Sequence, residues 1–396
     1  MERVHIAFFG LRNVGKSSLV NAITSQNLSV VSEVKGTTTD PVKKSMEILP
    51  IGPVVIIDTA GLDDVGELGK LRMKKTMEVL HQTDIAVVVK DACSFSSSRE
   101  EREYHTLFLA LEERKIPYIV VWNKIDIVVH LVTEAENEIA VSARTGENIF
   151  ECKKLIAKYA KKKLSQLEEK KILADLVKAG DSIVLVMPQD GSAPSKRLIL
   201  PQQQVLRELL DLHCTVISCQ DDDLEHTLSM LREDPKLVIT DSKVFGQVNQ
   251  ILPDHVPLTS FSILFARYKG NLSKMLEGAS ILSELQDGDK VLISEGCTHH
   301  RQCEDIGTVK MPDWIQKYSK SKPDFHFTSG GTFPDEEELS QYRLVVHCGG
   351  CMLNEAQMKS RLMAAGKVNL PVVNYGMAIA KMNGMLDRTI QIFSEK

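Results

Sequence analysis

The stretch GLRNVGKS at residues 10–17 sets the architecture of the first part of the chain. It matches the pattern G-x-x-x-x-G-K-[ST] and joins a strand-like apolar run, His5–Phe9, to a helix-period segment, Lys16–Thr24. The glycines allow backbone amides to wrap around phosphate oxygens, and the N-terminus of the helix adds a favourable partial charge. The stretch therefore predicts a phosphate-binding loop between a first strand and a first helix.

Apolar runs continue to alternate with helix-period segments up to about residue 165. Alternation of this kind predicts a mostly parallel sheet that is covered by helices on both faces. Further strands are predicted at Val54–Ile57, Ile85–Val89 and Ile116–Trp122, and further helices at Gly69–Leu80 and Arg99–Glu113.

The length of the chain predicts more than one domain. A single hydrophobic core stops growing at about 250–300 residues, and this chain has 396. We predict an α/β fold, with a first domain at residues 1–168 and two further α/β domains at residues 169–262 and 263–396. The two later domains share a loose strand–helix rhythm that is too weak to indicate a duplication. Single helices are predicted at Ser262–Leu282 and Met377–Ile390.

Composition argues against several classes of protein. The net charge of −5 lacks the basic excess that is typical of proteins that coat nucleic acids. No apolar run reaches the ~18 residues needed to span a bilayer, and the N-terminus leads into a strand-like run without a signal-peptide core. We therefore expect a cytoplasmic protein with no membrane and no nucleic-acid partner, whose eight cysteines are reduced.

Further motifs follow the phosphate-binding loop in the order that a guanine-nucleotide site requires. DTAG at residues 58–61 follows a strand, so that Asp58 can hold Mg²⁺ while the Gly61 amide contacts the γ-phosphate. NKID at residues 123–126 follows a later strand, and Asp126 is expected to accept hydrogen bonds from guanine N1–H and the exocyclic amine. Adenine lacks both donors and would leave that carboxylate unpaired. The motifs therefore predict GTP and GDP as ligands.

Two more segments complete the predicted site. SAR at residues 142–144 fits the loop that closes over the base, and GTTTD at residues 36–40 resembles a switch segment. The predicted catalytic residues are Lys16, Asn13 and Thr38, and the predicted Mg²⁺ ligands are Ser17, Thr38 and Asp58. The predicted nucleotide-binding residues are Gly10, Asn13, Gly15, Lys16, Ser17, Ser18, Asp58, Gly61, Asn123, Lys124, Asp126, Ser142 and Ala143.

The first domain resembles the TrmE–Era–EngA branch of translation-factor-like GTPases. The resemblance rests on Asn13, on the Gly-Thr-Thr segment and on Leu62 directly after DTAG. Leu62 stands where Ras-type enzymes carry a water-orienting Gln, so that route of water activation is missing. In this branch the matching Asn helps to bind a K⁺ ion, which implies a slow, K⁺-stimulated GTP hydrolase here. The alternative is that Asn13 is only a turn residue.

The last quarter of the chain contains a second group of candidate ligands. Cys297 follows the predicted strand Lys290–Ser294, and Cys348 and Cys351 follow the predicted strand Leu344–His347. Loops at the carboxyl ends of neighbouring parallel strands can converge, and C-x-x-C spacing lets two thiolates face one metal centre. This spacing fits an iron–sulfur cluster and a structural zinc site about equally, whereas a redox dithiol or plain core cysteines fit the surroundings less well.

CTH at residues 297–299 and HCGGC at residues 347–351, behind a GTPase domain of this branch, resemble the HydF family of hydrogenase maturation GTPases. The resemblance covers essentially the whole chain and implies GTP-binding, dimerisation and cluster-binding domains in that order. It implies that Cys297, Cys348 and Cys351 bind a 4Fe–4S cluster. It further implies a scaffold that delivers the di-iron cofactor precursor to apo-hydrogenase. The implied partners are a second copy of the chain, in a homodimer or higher oligomer, apo-hydrogenase and radical SAM maturases.

Three cysteines leave one iron without a thiolate, as a carrier role requires. We favour Glu304 as the fourth ligand, because an oxygen ligand leaves iron more easily than a thiolate does, whereas Cys303 would close the site with four thiolates. His299, His347 and water are further candidates, and the histidines could instead act as hydrogen-bond donors to the cluster. The competing hypothesis for the whole chain is a ribosome- or tRNA-associated GTPase with a structural zinc domain.

Overall fold

The computed structural model describes residues 3–24, 42–49, 51–59, 61–62, 75–76, 78–93, 98–128, 133, 135–168, 171–189, 198–296, 305–351 and 353–393. The chain divides into two compact units, Met1–Glu169 and Lys170–Lys396. A further boundary between residues 262 and 263 stays a prediction. Within the described ranges, every helix is too short or too polar to cross a membrane.

The first unit contains a six-stranded sheet of order β2-β3-β1-β4-β5-β6, which is parallel except for β2. Its middle strands are almost wholly apolar and buried, as expected for a parallel sheet that is covered on both faces. The strands are β1 (Val4–Phe9), β2 (Val42–Ile48), β3 (Gly52–Asp58), β4 (Ile85–Asp91), β5 (Tyr118–Asn123) and β6 (Glu138–Ala140).

Among the described residues, the helices with defined bounds in this unit are Lys16–Thr24, Ser98–Glu113 and Ile149–Glu168. The predicted strands are confirmed, and the structure adds two that were not predicted, β2 and β6. The predicted helix Gly69–Leu80 lies largely outside the described residues. The antiparallel strand β2 was not predicted, because its exposed Lys43 and Lys44 interrupt any apolar pattern. Lysines are common on edge strands, where they discourage pairing with other chains.

The second unit contains two four-stranded sheets, both entirely parallel. The first sheet has the order β10-β9-β7-β8 and the second the order β12-β11-β13-β14. Their strands are β7 (Ser182–Val186), β8 (Thr215–Cys219), β9 (Leu237–Thr240), β10 (Leu258–Ser260), β11 (Lys290–Ser294), β12 (Asp324–Thr328), β13 (Leu344–His347) and β14 (Val372–Asn374).

The two sheets repeat one topology. When each set of four strands is numbered along the chain, both sheets have the order 2-1-3-4. In both, the last strand ends at a residue that caps the next helix: Ser260 Oγ accepts from Ile263 N at 3.1 Å, and Asn374 Oδ1 accepts from Met377 N at 2.8 Å. The weak rhythm of the sequence thus corresponds to a repeated arrangement of strands.

Two predicted long helices are each divided, so those predictions were wrong. Ser262–Leu282 contains two helices, because Asn271 caps the second by accepting from Lys274 N at 3.1 Å. Met377–Ile390 is interrupted at Gly384, whose φ of 69° ends the preceding helix. The helices of this unit lie at Leu200–Asp211, Leu224–Ser229, Phe245–Ile251, Phe261–Lys269, Leu272–Ile281, Met311–Ser319, Glu336–Leu339, Glu355–Lys367, Tyr375–Met382 and Leu386–Ile390.

One hydrophobic core joins the two sheets of the second unit. It includes Val184 and Val238 from the first sheet and Val291 and Val346 from the second, all fully buried. Within the second sheet, β11 and β13 are adjacent and parallel, with Ser294 opposite His347. The loops that follow these two strands therefore begin at the same edge of the sheet.

Candidate functional site

Two positions of the phosphate-binding loop have room only for glycine, because neighbouring atoms lie too close for a Cβ atom. Gly10 has a φ of 153°, and a Cβ atom there would lie 2.4 Å from the carbonyl oxygen of Val89. Gly15 has a φ of 87°, and its Cβ would lie 2.3 Å from Asn123 Nδ2. The loop is thus pressed against the ends of β4 and β5, and a side chain at either position would displace it.

The first helix and β3 bring together the side chains predicted to act on phosphate and Mg²⁺. Lys16 is buried, and its Nζ donates to the carbonyl oxygens of Gly10 at 3.0 Å and Leu11 at 2.7 Å. Ser17 Oγ donates to Asp58 Oδ2 at 2.7 Å. Burial raises the pKa of the Asp58 carboxyl, although the Ser17 hydrogen bond and the Lys16 charge oppose that shift.

This arrangement fits a divalent cation. Asp58 Oδ1 is buried and has no hydrogen-bond partner within the described part of the chain. A buried carboxylate oxygen of this kind is costly unless a cation or donor satisfies it. Hydroxyl and carboxylate oxygens are also the ligands that Mg²⁺ prefers. Ser17 and Asp58 would hold the ion, whereas the third predicted ligand, Thr38, lies outside the described residues.

The predicted base-reading residues form one hydrogen-bonded group. Asn123 is buried; its Nδ2 donates to the Val14 carbonyl oxygen at 2.9 Å, and its Oδ1 accepts from Ala143 N at 3.0 Å. Ser142 Oγ donates to Asp126 Oδ1 at 2.7 Å. Asn123 thus ties the phosphate-binding loop to the base loop, and Ser142 orients the carboxylate that would read guanine.

Asp91 is a residue of this site that the sequence reasoning missed. It ends β4 directly beside Asn123 in the sheet register. Its Oδ2 accepts from Lys124 Nζ at 2.5 Å, and its Oδ1 accepts from Cys93 N at 2.9 Å. Burial opposes ionisation of Asp91, but these hydrogen bonds outweigh it and lower the pKa of the carboxyl. Its position at the carboxyl end of an apolar strand was the signal that could have identified it.

The structure gives a local reason for the identity of two residues near the phosphate-binding loop, Asn13 and Leu62. Asn13 has a φ of 61°, a left-handed conformation that Asn tolerates better than most residues, so a turn role alone would explain its identity. Leu62 is buried, and its amide donates to the Gly10 carbonyl oxygen at 3.2 Å. The side chain at position 62 is therefore core and cannot orient a water molecule.

In the second unit, the sulfur of Cys348 lies where the loops after β11 and β13 meet. Cys348 Sγ accepts from Gly296 N at 3.0 Å and from Gly350 N at 3.4 Å. Gly350 has a φ of 62°, which allows the tight turn between Cys348 and Cys351. Burial raises the pKa of the Cys348 thiol to about 11, against the opposing effect of the two amides.

His347 has no nitrogen left to bind a metal. Arg361 can only donate, so His347 Nε2 accepts from Arg361 Nη1 at 3.0 Å, and Nδ1 then carries the proton that it donates to the Cys348 carbonyl oxygen at 2.7 Å. Burial and the charge of Arg361 lower the pKa of His347 to about 4, so the imidazole is neutral.

The other predicted cluster ligands, Cys297, Cys303 and Glu304, lie outside the described residues, as does His299. Among the residues that are described, no three side chains of His, Cys, Asp or Glu gather as metal ligands. The donors that are present nevertheless fit an iron–sulfur cluster, because backbone amides directed at sulfur are the usual surroundings of cluster thiolates.

Three family models match successive parts of the chain. Residues 172–270 match the model of the hydrogen maturase F dimerization domain, and residues 273–392 match that of the hydrogen maturase F tetramerization domain. The chain belongs to the hydrogen maturase F family. Residues 5–124 match the model of a GTPase domain described as a 50S ribosome-binding GTPase. The first unit of this hydrogen maturase F chain is therefore a P-loop GTPase domain.

Two GTPases illustrate how much of the chain is shared with individual relatives. The tRNA modification GTPase MnmE of Legionella pneumophila (strain Paris) is 34% identical over 39% of this chain and 34% of its own length. GTPase Der of Wolinella succinogenes is 35% identical over 39% of this chain and 35% of its own length. The chain thus spans about a third of these relatives. A crystal structure of a probable GTP-binding protein engB matches 40% of this chain and 100% of that chain at 23% identity, with a TM-score of 0.34.

Two further buried polar residues lie beside the cysteine loops of this hydrogen maturase F chain, and neither belongs to a recognisable motif. Glu295 directly follows the strand β11, and it accepts from the Tyr375 hydroxyl at 3.3 Å. Burial and the neighbouring Glu295 raise the pKa of Tyr375 well above its ordinary value. Arg361 is buried and donates to Nε2 of His347, the residue before Cys348, at 3.0 Å. No sequence pattern indicated either position.

Proposed function

We propose that this chain is a GTP-hydrolysing scaffold in the maturation of iron–iron hydrogenase. It binds a 4Fe–4S cluster through Cys297, Cys348 and Cys351, and it delivers a di-iron cofactor precursor to apo-hydrogenase. In this proposal, residues 1–168 bind GTP, residues 169–262 form a homodimer interface and residues 263–396 bind the cluster. Radical SAM maturases supply the precursor. Membership of the hydrogen maturase F family supports this assignment.

The observation that carries the cluster proposal is the 3.0 Å contact between Gly296 N and Cys348 Sγ. Gly296 immediately precedes Cys297 in the chain, and consecutive Cα atoms are only ~3.8 Å apart. The loop that contains the first cysteine therefore starts within hydrogen-bonding distance of the second. Thiolates supplied by two such loops are the ligands that iron–sulfur clusters require.

Glu304 is our proposed fourth ligand. Both ring nitrogens of His347 are already used within the protein, which removes that residue from the candidates. An oxygen donor leaves one iron exchangeable, in keeping with a carrier. Cys303 remains the alternative, and its thiolate would hold the fourth iron more firmly.

At the nucleotide site we propose that Lys16 contacts the β and γ phosphates and that Asp126 reads guanine. Ser17, Thr38 and Asp58 would hold Mg²⁺, and Asn13 would help to bind a K⁺ ion. The buried, unpartnered Asp58 Oδ1 supports the Mg²⁺ assignment. The K⁺ assignment rests on the resemblance to the TrmE–Era–EngA branch and on the apolar Leu62, which leaves no glutamine to orient water.

Anaerobic reconstitution tests the cluster proposal. The purified chain, incubated with ferrous iron and sulfide, should retain iron and sulfide in equal amounts and give the EPR signal of a reduced 4Fe–4S cluster. Cys297→Ser should lose most of the bound iron and keep its rate of GTP hydrolysis, because the two sites lie in separate units. Cys219→Ser, which removes a thiol of the same unit elsewhere, is the matched control and should bind iron normally.

Metal analysis distinguishes the cluster proposal from the competing hypothesis of a structural zinc domain. Stoichiometric zinc in anaerobically purified protein, with no visible absorbance and no uptake of iron, would replace the cluster with a structural zinc site. Loss of GTP hydrolysis in Cys297→Ser would contradict the division of functions between the two units.

A further inference from the structure

Arg361 is a buried charged residue that the cysteine motifs do not explain. It lies in the helix Glu355–Lys367, and only 5% of its surface is exposed. A charge enclosed to this extent is costly unless an opposite charge or a full set of hydrogen bonds offsets it. The question is therefore which group balances this guanidinium.

Every partner of Arg361 in the described chain is neutral. Its Nη1 donates to Ser294 Oγ at 3.2 Å and to His347 Nε2 at 3.0 Å, and its Nη2 donates to the Gly330 carbonyl oxygen at 2.5 Å. The guanidinium also lies 5.1 Å from the centre of the Phe333 ring. Among the described residues Arg361 makes no ion pair with a carboxylate, so these contacts fix its position without balancing its charge.

The group that can balance the charge is Cys348. Arg361 Nη1 donates to His347 Nε2, and Nδ1 of the same ring donates to the Cys348 carbonyl oxygen at 2.7 Å, so a single side chain connects the buried cation to Cys348. Cys348 is neutral as a thiol and anionic only as a thiolate, which is the form that binds a metal. The buried cation and the sulfur therefore become a pair when the thiolate is present.

We propose that Arg361 is a positioning and charge-balancing residue for the iron–sulfur cluster. Its guanidinium offsets the negative charge of the cluster and its thiolates. It also orients His347, whose Nδ1–H then holds the carbonyl of Cys348 and with it the start of the C-x-x-C turn. This inference rests on the cluster site proposed above and adds a residue that no ligand motif contains.

The consequence is a shift in reduction potential, because reduction adds an electron to a group that is already negative. Removing a nearby buried cation makes that addition harder. In Arg361→Gln the equilibrium constant for one-electron reduction should fall about tenfold, which corresponds to a midpoint potential ~59 mV more negative. Iron retained after desalting should fall as well.

The experiment compares full-length chains reconstituted anaerobically with ferrous iron and sulfide. Each is titrated with dithionite while the EPR signal of the reduced cluster is followed. Arg361→Lys keeps the charge and should stay within about threefold of wild type in the same equilibrium constant. Arg343→Gln removes a half-exposed arginine that pairs with Glu284 in the same unit, and it should leave the potential unchanged.

The outcomes separate this inference from the cluster proposal. If the wild-type protein takes up no iron, the cluster proposal itself is contradicted. Normal uptake in wild type, with the same potential in Arg361→Gln, overturns only the role of Arg361. If Arg361→Gln does not fold, as judged by its thermal transition, the folded Arg361→Lys chain decides. If the equilibrium constant for reduction changes tenfold in Arg361→Lys, which keeps the charge, the charge-balancing role is contradicted. A wild-type midpoint potential in Arg361→Lys would support that role.

Discussion

The two sites of this protein each contain a charged side chain that the described residues do not fully satisfy, and the two charges have opposite sign. At the nucleotide site, Asp58 is a half-buried carboxylate whose buried Oδ1 lacks a partner among the described residues. At the cysteine site, Arg361 is an enclosed guanidinium whose described partners are all neutral. Both groups lie at the carboxyl-end edge of a parallel sheet, where open α/β folds bind their ligands.

The difference indicates what each site is built to receive. A carboxylate with a buried, unpartnered oxygen is stabilised by a cation, and a buried guanidinium with only neutral partners is stabilised by an anion. The nucleotide site therefore fits Mg²⁺, and the cysteine site fits the anionic cluster that we propose for it. By contrast, Lys124 and Asp91 balance each other within the chain at 2.5 Å. That pair supports the base loop and does not need a ligand to offset its charge.

The strongest test of this comparison is Asp58→Asn. Because the amide keeps the size of the side chain but loses its charge, Mg²⁺-dependent GTP hydrolysis should fall about a thousandfold, or by ~4 kcal/mol of barrier. The measurement is phosphate release as a function of Mg²⁺ concentration.

Stability provides the control for this variant. Burial raises the pKa of Asp58, so its folded-state pKa lies above the unfolded one, and ionisation costs stability once the pH exceeds the unfolded value. At neutral pH the ligand-free Asp58→Asn chain should therefore unfold at the same or a higher temperature than wild type. A lower transition temperature, or an unchanged response to Mg²⁺, would contradict the idea that this carboxylate awaits a cation.

A smaller effect is expected for Asp126→Asn, which changes the base that the site accepts. Two charge-assisted hydrogen bonds to guanine would be weakened, so the Kd for GTP should rise about 100-fold, equivalent to ~2.7 kcal/mol. Xanthosine triphosphate carries a carbonyl in place of the guanine amine, and it should bind the variant better than wild type because the new amide can donate to that oxygen.

Fluorescent-nucleotide titration measures both affinities. Glu136→Gln removes an exposed carboxylate, which pairs with Lys158 in the same unit, and should leave both nucleotides unaffected. Unchanged GTP affinity in Asp126→Asn would mean that another group reads the base.

The sequence predicted those features that follow from local pattern. The GTPase domain could be predicted because the phosphate-binding loop, the DTAG stretch and the NKID stretch are contiguous sequences, each with a known chemical role. The adjacency of β11 and β13 was foreseen in the same way, since both predicted strands led into cysteine-containing loops. The helix breaks at Asn271 and Gly384 were missed because the apolar period continues across them.

Features that depend on tertiary packing could not be predicted from sequence patterns. Arg361 reads in the sequence as one of many cations on a helix, and only the fold buries it beside His347. The same holds for Asp91, whose role requires that Lys124 lie at the end of the neighbouring strand. The repeated 2-1-3-4 order of the two later sheets could not be predicted either, because the two sheets share a strand order but no recurring sequence motif.

The smallest predicted effect concerns the monovalent ion, and it extends the comparison to the nucleotide itself. GTP brings several negative charges to a loop whose Asn13 is exposed and whose Leu62 cannot orient water. A K⁺ ion near the β–γ bridge would supply positive charge at the place where negative charge develops in the transition state.

Replacing K⁺ with Na⁺ should slow hydrolysis about tenfold, or ~1.4 kcal/mol, and Asn13→Ala should remove the difference between the two ions. Asn13→Gly separates this role from the left-handed backbone at φ 61°, because glycine keeps the turn but has no side-chain oxygen. If Asn13→Gly still hydrolyses GTP faster in K⁺ than in Na⁺, Asn13 is a turn residue only and K⁺ is not held by its side chain.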